Sequence, residues 1–327
     1  MLPEMDPLKG RSERSMPFSS PRKGADGSMT SDTNNIQRDI ISPGLLVIDK
    51  PRGPSSHQVT AWAGEMLMVH VGHAGTLDPG VSGVLVVMLG AAVRLAPVLL
   101  AEDKEYVCAL RTHADVPTST IEGVLTEFSG RIYQRPPRKS AVARNLRIRT
   151  VHDIDLLDHS SRDFLLAIRC DAGTYIRSLC HHIGLALGTG AHMEELRRTR
   201  SGCFREREAH TLQEIRDAVV VAGEGNPGRL KAMIRSPIEA VRGLPKVILM
   251  DTAVDAVCHG AVLARAGITG YDEFVKADPV VMVTRKGEVI GLGRSLVSSR
   301  DAGSMSHGLV IASTSIFMKP GTYPRGW

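Results

Sequence analysis

Cysteine is sparse in this 327-residue chain, and long apolar runs are absent. The five cysteines, Cys108, Cys170, Cys180, Cys203 and Cys258, are scattered, odd in number and never in a C-x-x-C pair. That spacing excludes a disulfide framework and a zinc ribbon, and makes a reducing compartment the default. The longest apolar run, Val84 to Leu89, has six residues, against the ~20 that a membrane-spanning helix needs. Nothing in the sequence is read as spanning a membrane. No apolar signal region occurs between Met1 and Ile40, where Pro, Ser, Gly and mixed charge predict a disordered extension over residues 1–40. Internal repeats are lacking too.

What is present is globular. A composition of 43% hydrophobic and 23% charged residues with mean hydropathy −0.04 excludes disorder of the whole chain, and the length suits about two domains. Net charge is +5 and the pI ≈ 9.0, a modest bias toward a polyanionic partner. Its distribution is more informative. Arg131 to Thr150 holds seven basic residues (Arg131, Arg135, Arg138, Lys139, Arg144, Arg147, Arg149) and no acidic one. Such a segment reads either as a solvated surface or, better, as a grip on a phosphate backbone.

Leu45 to Asp49, closed by Lys50-Pro51-Arg52-Gly53-Pro54, reads as a strand entering a turn. Val84 to Gly90, apolar on both parities, reads as a strand buried on both faces. Lys104 to His113 and Phe164 to Cys170 are further strands, and Ile121, Val124, Leu125 and Phe128 have helical spacing. Ile176, Leu179, Cys180, Ile183 and Leu187 predict an amphipathic helix over Tyr175 to Leu187, with Arg177 and His181 on its polar face. Thr211-x-x-Glu214 is a capping box opening another helix. A composition shift at Gly223 to Pro227, then Pro237 and Pro245, predicts a boundary near residues 240–245. Beyond it, strands at Lys246 to Leu249, Val280 to Thr284, Glu288 to Gly291 and Leu309 to Ala312 flank a helix at Thr252 to His259, forming a small β-rich module.

Two segments carry candidate chemistry. Gly72 to Gly83 holds four glycines and Pro79 in a tight loop around Asp78, whose backbone can approach a ligand closely. Aspartate before proline is also a common turn former. In Ala172-Gly173-Thr174-Tyr175-Ile176-Arg177, an arginine leaves a helix start beside an aromatic, and near Asp78 it would hold that carboxylate ionised. His181-His182 and His192 do not match a zinc ligand spacing.

These segments, with Asp49-Lys50-Pro51, Gly53-Pro54-Ser55-Ser56-His57, Lys104-Glu105-Tyr106 and Gly190-Ala191-His192 through Leu196-Arg197-Arg198-Thr199-Arg200, resemble the TruB-type pseudouridine synthases over residues 44–322. Gln134 to Val142, His181 to Gly188 and Leu196 to Gly202 resemble the archaeal and dyskerin-type branch, the catalytic subunit of H/ACA ribonucleoproteins. The resemblance implies an α+β fold: a catalytic domain with a central mixed, mainly antiparallel sheet flanked by helices over residues 41–243, and a PUA pseudo-barrel over residues 244–327. It implies isomerisation of uridine, in which the C1′–N1 bond is exchanged for C1′–C5, directed by a guide RNA on rRNA or tRNA. No cofactor or metal is implied. Asp78 resembles the family's catalytic aspartate, Arg177 its ion-pair partner and Tyr106 the tyrosine that stacks on the target uracil. Leu196 matches the apolar wall on the other side of the base, Tyr175 another pocket aromatic, and His73 the motif histidine of the catalytic loop.

Arg138, Lys139, Arg144, Arg147 and Arg149 fall at the family's thumb loop, where they would grip RNA, and His259-Gly260-Ala261 match the guide-contacting loop of the PUA module. Implied partners are the guide RNA, the substrate RNA and three small accessory proteins, with no membrane and a cytoplasmic location. Two other readings stay open: a stand-alone tRNA enzyme, and a non-catalytic scaffold for guide RNAs. Three positions depart from the family pattern: His70-Val71 ahead of the catalytic loop, Ala266 in place of a proline, and Cys203 in place of another.

Overall fold

The computed structural model describes residues 43–136 and 145–324. Ten strands build its larger sheet: β1 (Gly44–Lys50), β2 (Val71–Ala74), β3 (Ser82–Leu89), β4 (Lys104–Thr112), β5 (Gly130–Gln134), β6 (Arg147–Ser160), β7 (Asp163–Cys170), β8 (Ala191–Ser201), β9 (Phe204–Arg205) and β10 (Ile234–Arg235). The order is β10-β1-β3-β8-β4-β7-β6-β5, with β2 added to β3 and β9 to β8. Every ladder of this sheet is antiparallel except β3–β8, a two-residue parallel pairing of Ser82 with Arg197 and Gly83 with Arg198. That short seam joins two antiparallel halves.

The first half is covered on both faces, as the apolar run of β3 predicts. Leu46 and Ile48 of β1 and Leu85, Val87 and Leu89 of β3 pack under helices α1 (Ser56–Leu67) and α4 (Leu212–Gly223). Alternate residues Leu45, Val47, Val84, Val86 and Met88 enter a cluster on the opposite face. The second half buries Cys108, Leu110, Phe164, Leu166 and Ile168 under helices α2 (Thr118–Phe128) and α3 (Ile176–Ala186). Capping boxes fix helix starts at Ser55 with Gln58 and, as the sequence predicts, at Thr211 with Glu214.

Six strands form a second sheet: β11 (Lys246–Leu249), β12 (Leu263–Ala264), β13 (Ile268–Tyr271), β14 (Pro279–Val283), β15 (Val289–Ser295) and β16 (Leu309–Ile316), in the order β12-β16-β15-β14-β11-β13. Helix α5 (Asp251–Cys258) packs on it through Val254 and Val257. The fold is α+β, with the mainly antiparallel catalytic-type sheet and the PUA-type module that the sequence predicts. The two sheets share one cluster: Val281, Val283, Leu292 and Phe317 pack with Leu45, Val47 and Val84 of the first sheet. Arg94 also donates to the Ile316 carbonyl across this junction. Among the described residues, no helix is long and apolar enough to cross a membrane.

Candidate active site

The Asp78 loop bridges β2 and β3 and is pinned from beneath by buried polar groups. Ser56, at the start of α1 and without solvent exposure, takes the Leu77 N–H on its Oγ at 2.8 Å and donates back to the Leu77 carbonyl at 2.9 Å. Lys50, equally buried, donates from Nζ to the carbonyls of Val81 at 2.7 Å and Pro51 at 2.9 Å. Burial pushes its ammonium pKa down, while the nearby Asp78 carboxylate opposes the shift. Gly53 N–H donates to the Pro79 carbonyl, and Val81 N–H closes the turn onto the Asp78 carbonyl. Gly83 ends the loop at φ +103°, and a Cβ there would lie 2.2 Å from the Arg198 carbonyl oxygen, so only glycine fits the β3–β8 seam.

Asp78 is thereby held at the surface, where Arg177 from the first turn of α3 donates from Nη2 to its Oδ2 at 2.7 Å. Both side chains are more than half exposed, so this pair orients the carboxylate and contributes little to fold stability. The start of α3 is itself fixed by Gln134, buried at the end of β5. Its Oε1 accepts the Tyr175 N–H at 2.9 Å and its Nε2 donates to the Tyr175 carbonyl at 3.2 Å.

The wall beside Asp78 is made by β4 and β8. Tyr106 lies opposite Arg198, and Cys108 opposite Leu196. Leu196 is almost fully buried in a cluster with Leu77, Val81 and Ile176, and Tyr106 packs against the same cluster. Withdrawal from water pushes the Tyr106 phenol above its usual pKa, while the charge of the Arg198 guanidinium acts the other way. Asp78, Arg177, Tyr106 and Leu196 thus come together from four separate stretches of chain. Tyr175 caps α3 within the same region.

His73 sits on β2 with its ring 5.5 Å from that of His57, edge to face. Its Nδ1 is buried without a hydrogen bond, and burial, then His57 and Arg198, lower its pKa, so the ring is neutral at pH 7. Of the thumb-loop residues, Arg138, Lys139 and Arg144 lie outside the described residues. Arg147 and Arg149 begin β6, where the Arg149 guanidinium lies over Gly173, just before Tyr175. In the second sheet's region, His259, Gly260 and Ala261 line an open depression with Asp255 and Ala256, and the His259 ring meets the Asp255 carbonyl at 2.8 Å.

Among the described residues, one cluster holds metal-ligand types within reach of each other: His152 Nε2 lies 3.1 Å from Asp171 Oδ1 and 3.4 Å from Asp103 Oδ2. Asp171 already accepts the Thr150 N–H on its other oxygen. His152, on β6, therefore faces the carboxylates that flank the start of β4 and the end of β7.

Sequence reasoning assigned no role to Ser56, Lys50, Gln134 or Arg198, although all four stand inside the quoted motifs. The signal available was chemical type out of place: lysine, serine and arginine flanking a glycine-rich loop whose carbonyls need donors.

Residues 65–176 match the TruB family pseudouridylate synthase N-terminal domain, 177–241 the tRNA pseudouridylate synthase B C-terminal domain, and 245–317 the PUA domain. A probable tRNA pseudouridine synthase B from Methanothermobacter thermautotrophicus is 48% identical over 89% of this chain and 92% of its own length. The corresponding protein of Methanocaldococcus jannaschii is 45% identical over 88% and 87%. Among solved structures, an H/ACA RNP bound to a substrate RNA containing 2′-deoxyuridine matches with TM-score 0.82 and 42% identity, covering 88% of this chain and 89% of that one. A Cbf5–Nop10–Gar1 complex matches with TM-score 0.82 and 43% identity, covering 89% of both chains.

Proposed function

The chain belongs to the TruB family of pseudouridine synthases, and we propose that it is the guide-directed enzyme of an H/ACA-type ribonucleoprotein, with Asp78 as its catalytic carboxylate. The observation that carries the reading is the Asp78–Arg177 pair, set on a rigid loop beside the Tyr106 and Leu196 wall. The arginine favours the ionised carboxylate that either a covalent attack or deprotonation of an intermediate requires. Tyr106 offers an aromatic face and Leu196 an apolar wall to a uracil that has left its stack. With the base held there, the C1′–N1 bond breaks, the uracil turns, C5 bonds to C1′, the C5 proton departs and N1 takes up a proton, so that the product is an isomer of the substrate. Tyr175 and His73 complete the approach to the pocket.

RNA grip is assigned to the thumb-loop residues Arg138, Lys139, Arg144, Arg147 and Arg149, and to His259, Gly260 and Ala261 in the second module. We assign residues 41–243 to catalysis and 244–327 to guide binding, residues 1–40 to an extension, and the cytoplasm as compartment. Guide RNA, an rRNA or tRNA substrate and three small accessory proteins are the partners, a reading supported by the H/ACA complexes among the structural relatives. The names of the curated relatives favour a second reading, activity on tRNA without a guide.

One experiment separates these. Pseudouridine formation by the full chain is measured on a guided target and on free tRNA, with and without guide RNA and accessory proteins, for wild type and Asp78→Asn. Guide-dependent turnover that Asp78→Asn abolishes, with RNA affinity kept within about threefold, is the expected result. Equal turnover without guide moves the assignment to the tRNA reading, and an active Asp78→Asn refutes the site.

A further inference from the structure

We propose that Asp103, His152 and Asp171 form a binding site for a divalent transition-metal ion of the zinc type, held by one imidazole nitrogen and two carboxylate oxygens. The family resemblance implies no metal, and no motif joins these residues, which meet only when the sheet is assembled.

Strand β7 lies between β4 and β6. Asp103 stands just before β4, Asp171 just after β7, and His152 within β6. The β6–β7 ladder pairs Val151 with Cys170 and Asp153 with Arg169, so His152 is the surplus residue of a bulge. A bulge re-aims a side chain out of the regular alternation. Here the imidazole meets the two carboxylates.

His152 Nε2 lies 3.1 Å from Asp171 Oδ1 and 3.4 Å from Asp103 Oδ2, and the three donor atoms are all within 4.8 Å of one another. Ligands about 2.0–2.1 Å from a tetrahedral zinc stand ~3.3 Å apart, so both measured edges suit a shared ion. Nε2 is sealed from solvent yet makes no hydrogen bond. A ring proton held by a carboxylate would point along the line to its oxygen, and neither oxygen lies on that line. Ligands of one ion converge on a common centre and not on each other.

Charge and rigidity agree with this. Among the described residues, neither Asp103 nor Asp171 has a lysine or arginine ion-pair partner, and a divalent ion would balance the two carboxylates. Asp171 is fixed in advance: its Oδ2 accepts the Thr150 N–H at 2.7 Å and its carbonyl the Thr174 hydroxyl at 2.8 Å. Gly202 N–H donates to the Asp103 carbonyl at 2.9 Å. Outer contacts of this kind orient metal ligands. The side chains of His152, Asp103 and Asp171 are 26%, 40% and 36% exposed, which leaves an entry path and room for water as a fourth ligand. The imidazole favours a first-row transition ion over magnesium or calcium, which take oxygen ligands. Once bound, the ion would tie the strand that leads to Tyr106 to the segment that leads into α3 and Arg177.

The test uses the full chain, stripped with a chelator and dialysed, with cobalt(II) and zinc(II) as probes and no RNA present. Visible absorption follows cobalt binding and its displacement by zinc, and Tm is measured with and without zinc. Wild type is expected to bind one equivalent of cobalt, to release it to zinc but not to magnesium, and to gain Tm with zinc. His152→Ala and Asp171→Asn should each weaken binding at least ~10-fold, the loss that even an outer partner's removal causes, and should lose the gain in Tm. Should His152→Ala fail to fold, Asp171→Asn, which can still accept the Thr150 N–H, carries the comparison. His113→Ala is the control, because His113 Nε2 and His192 Nδ1 lie 3.1 Å apart and form a competing pair of ligands; it should bind as wild type does. No binding at millimolar metal, or unchanged affinity in the His152 and Asp171 variants, overturns the proposal, and so does a loss that follows His113→Ala instead. Neither readout involves RNA or turnover, so a failure here is distinct from a failure of the assigned reaction.

Discussion

Replacing Ser56 with alanine isolates the support of the catalytic loop from its chemistry. The Ser56 hydroxyl satisfies both the N–H and the carbonyl of Leu77, the residue before Asp78, and it is fully buried. Alanine fits the space but leaves one donor and one acceptor without partners. At ~1–3 kcal/mol for each stranded group, less the removed cost of burying a hydroxyl, the loss should be about 3 kcal/mol. At ~2.1 cal/mol/K of unfolding entropy per residue, that corresponds for a chain of this size to a fall in Tm of about 4–5 °C. Because Leu77 is free to move, kcat should fall with it, whereas KM for RNA should hold, since no phosphate-facing residue changes. Chemical denaturation gives the first quantity, and release of tritium from RNA labelled at uridine C5 gives the second. A stability loss below ~0.5 kcal/mol with unchanged turnover would show that the Leu77 clamp does not hold the loop.

Three further outcomes are expected. Arg177→Met, which removes the charge at similar length, should depress kcat strongly while leaving Tm within about 1–2 °C, because the exposed pair contributes little to folding; wild-type turnover would show that Arg177 does not serve Asp78. Lys104, buried and donating to the carbonyls of Leu99 and Glu102, has its pKa pushed down by burial to about 8 from 10.5. The folded state thus releases this proton before the unfolded one. The stability of wild type relative to Lys104→Met should rise between about pH 8 and 10.5, by up to ~3 kcal/mol, and a flat difference across that window would contradict the assignment. Deletion from residue 244 onward should unfold the remainder. It strips Val281, Val283, Leu292 and Phe317 from the shared cluster, at ~1.5–3 kcal/mol each, a loss comparable with a whole domain's ~5–15 kcal/mol. A truncated chain with a cooperative transition at the wild-type Tm would show that the two sheets are independent.

The sequence was most legible where one period or one motif decides the structure. The double-sided apolar run of β3, the Ile176 to Leu187 spacing of α3 and the Thr211 to Glu214 cap each have a local cause, and the structure contains each. The ion pair of Asp78 with Arg177 follows the expectation drawn from two motifs 99 residues apart. What stayed hidden depends on burial. Lys50, Lys104 and Arg198 look like surface cations in a basic chain, yet all three are buried around the loop. No spacing rule announces a lysine that donates inward to carbonyls. The strand Ala191–Ser201 was equally opaque, because Arg197, Arg198 and Arg200 give it no apolar alternation. Tertiary pairing with β4, and not propensity, makes it a strand. The shared cluster between the sheets was likewise beyond a reading that looked for a boundary in composition alone.

The two-residue parallel seam between β3 and β8 has a kinetic consequence. Ladders such as β5–β6 and β6–β7 zip between strands close in sequence, but Gly83 meets Arg198 at a separation of 115 positions. Contacts of that separation carry a large loop-closure entropy and form late. A refolding chain would therefore gain most of its secondary structure and apolar burial before the Asp78 loop is in register with the strands that carry Tyr106 and Arg198. Turnover should lag the recovery of circular dichroism, and simultaneous recovery would count against this order. On that order, the nascent protein has its sheet before it has its chemistry, and it stays inert toward RNA until the seam between its halves has closed.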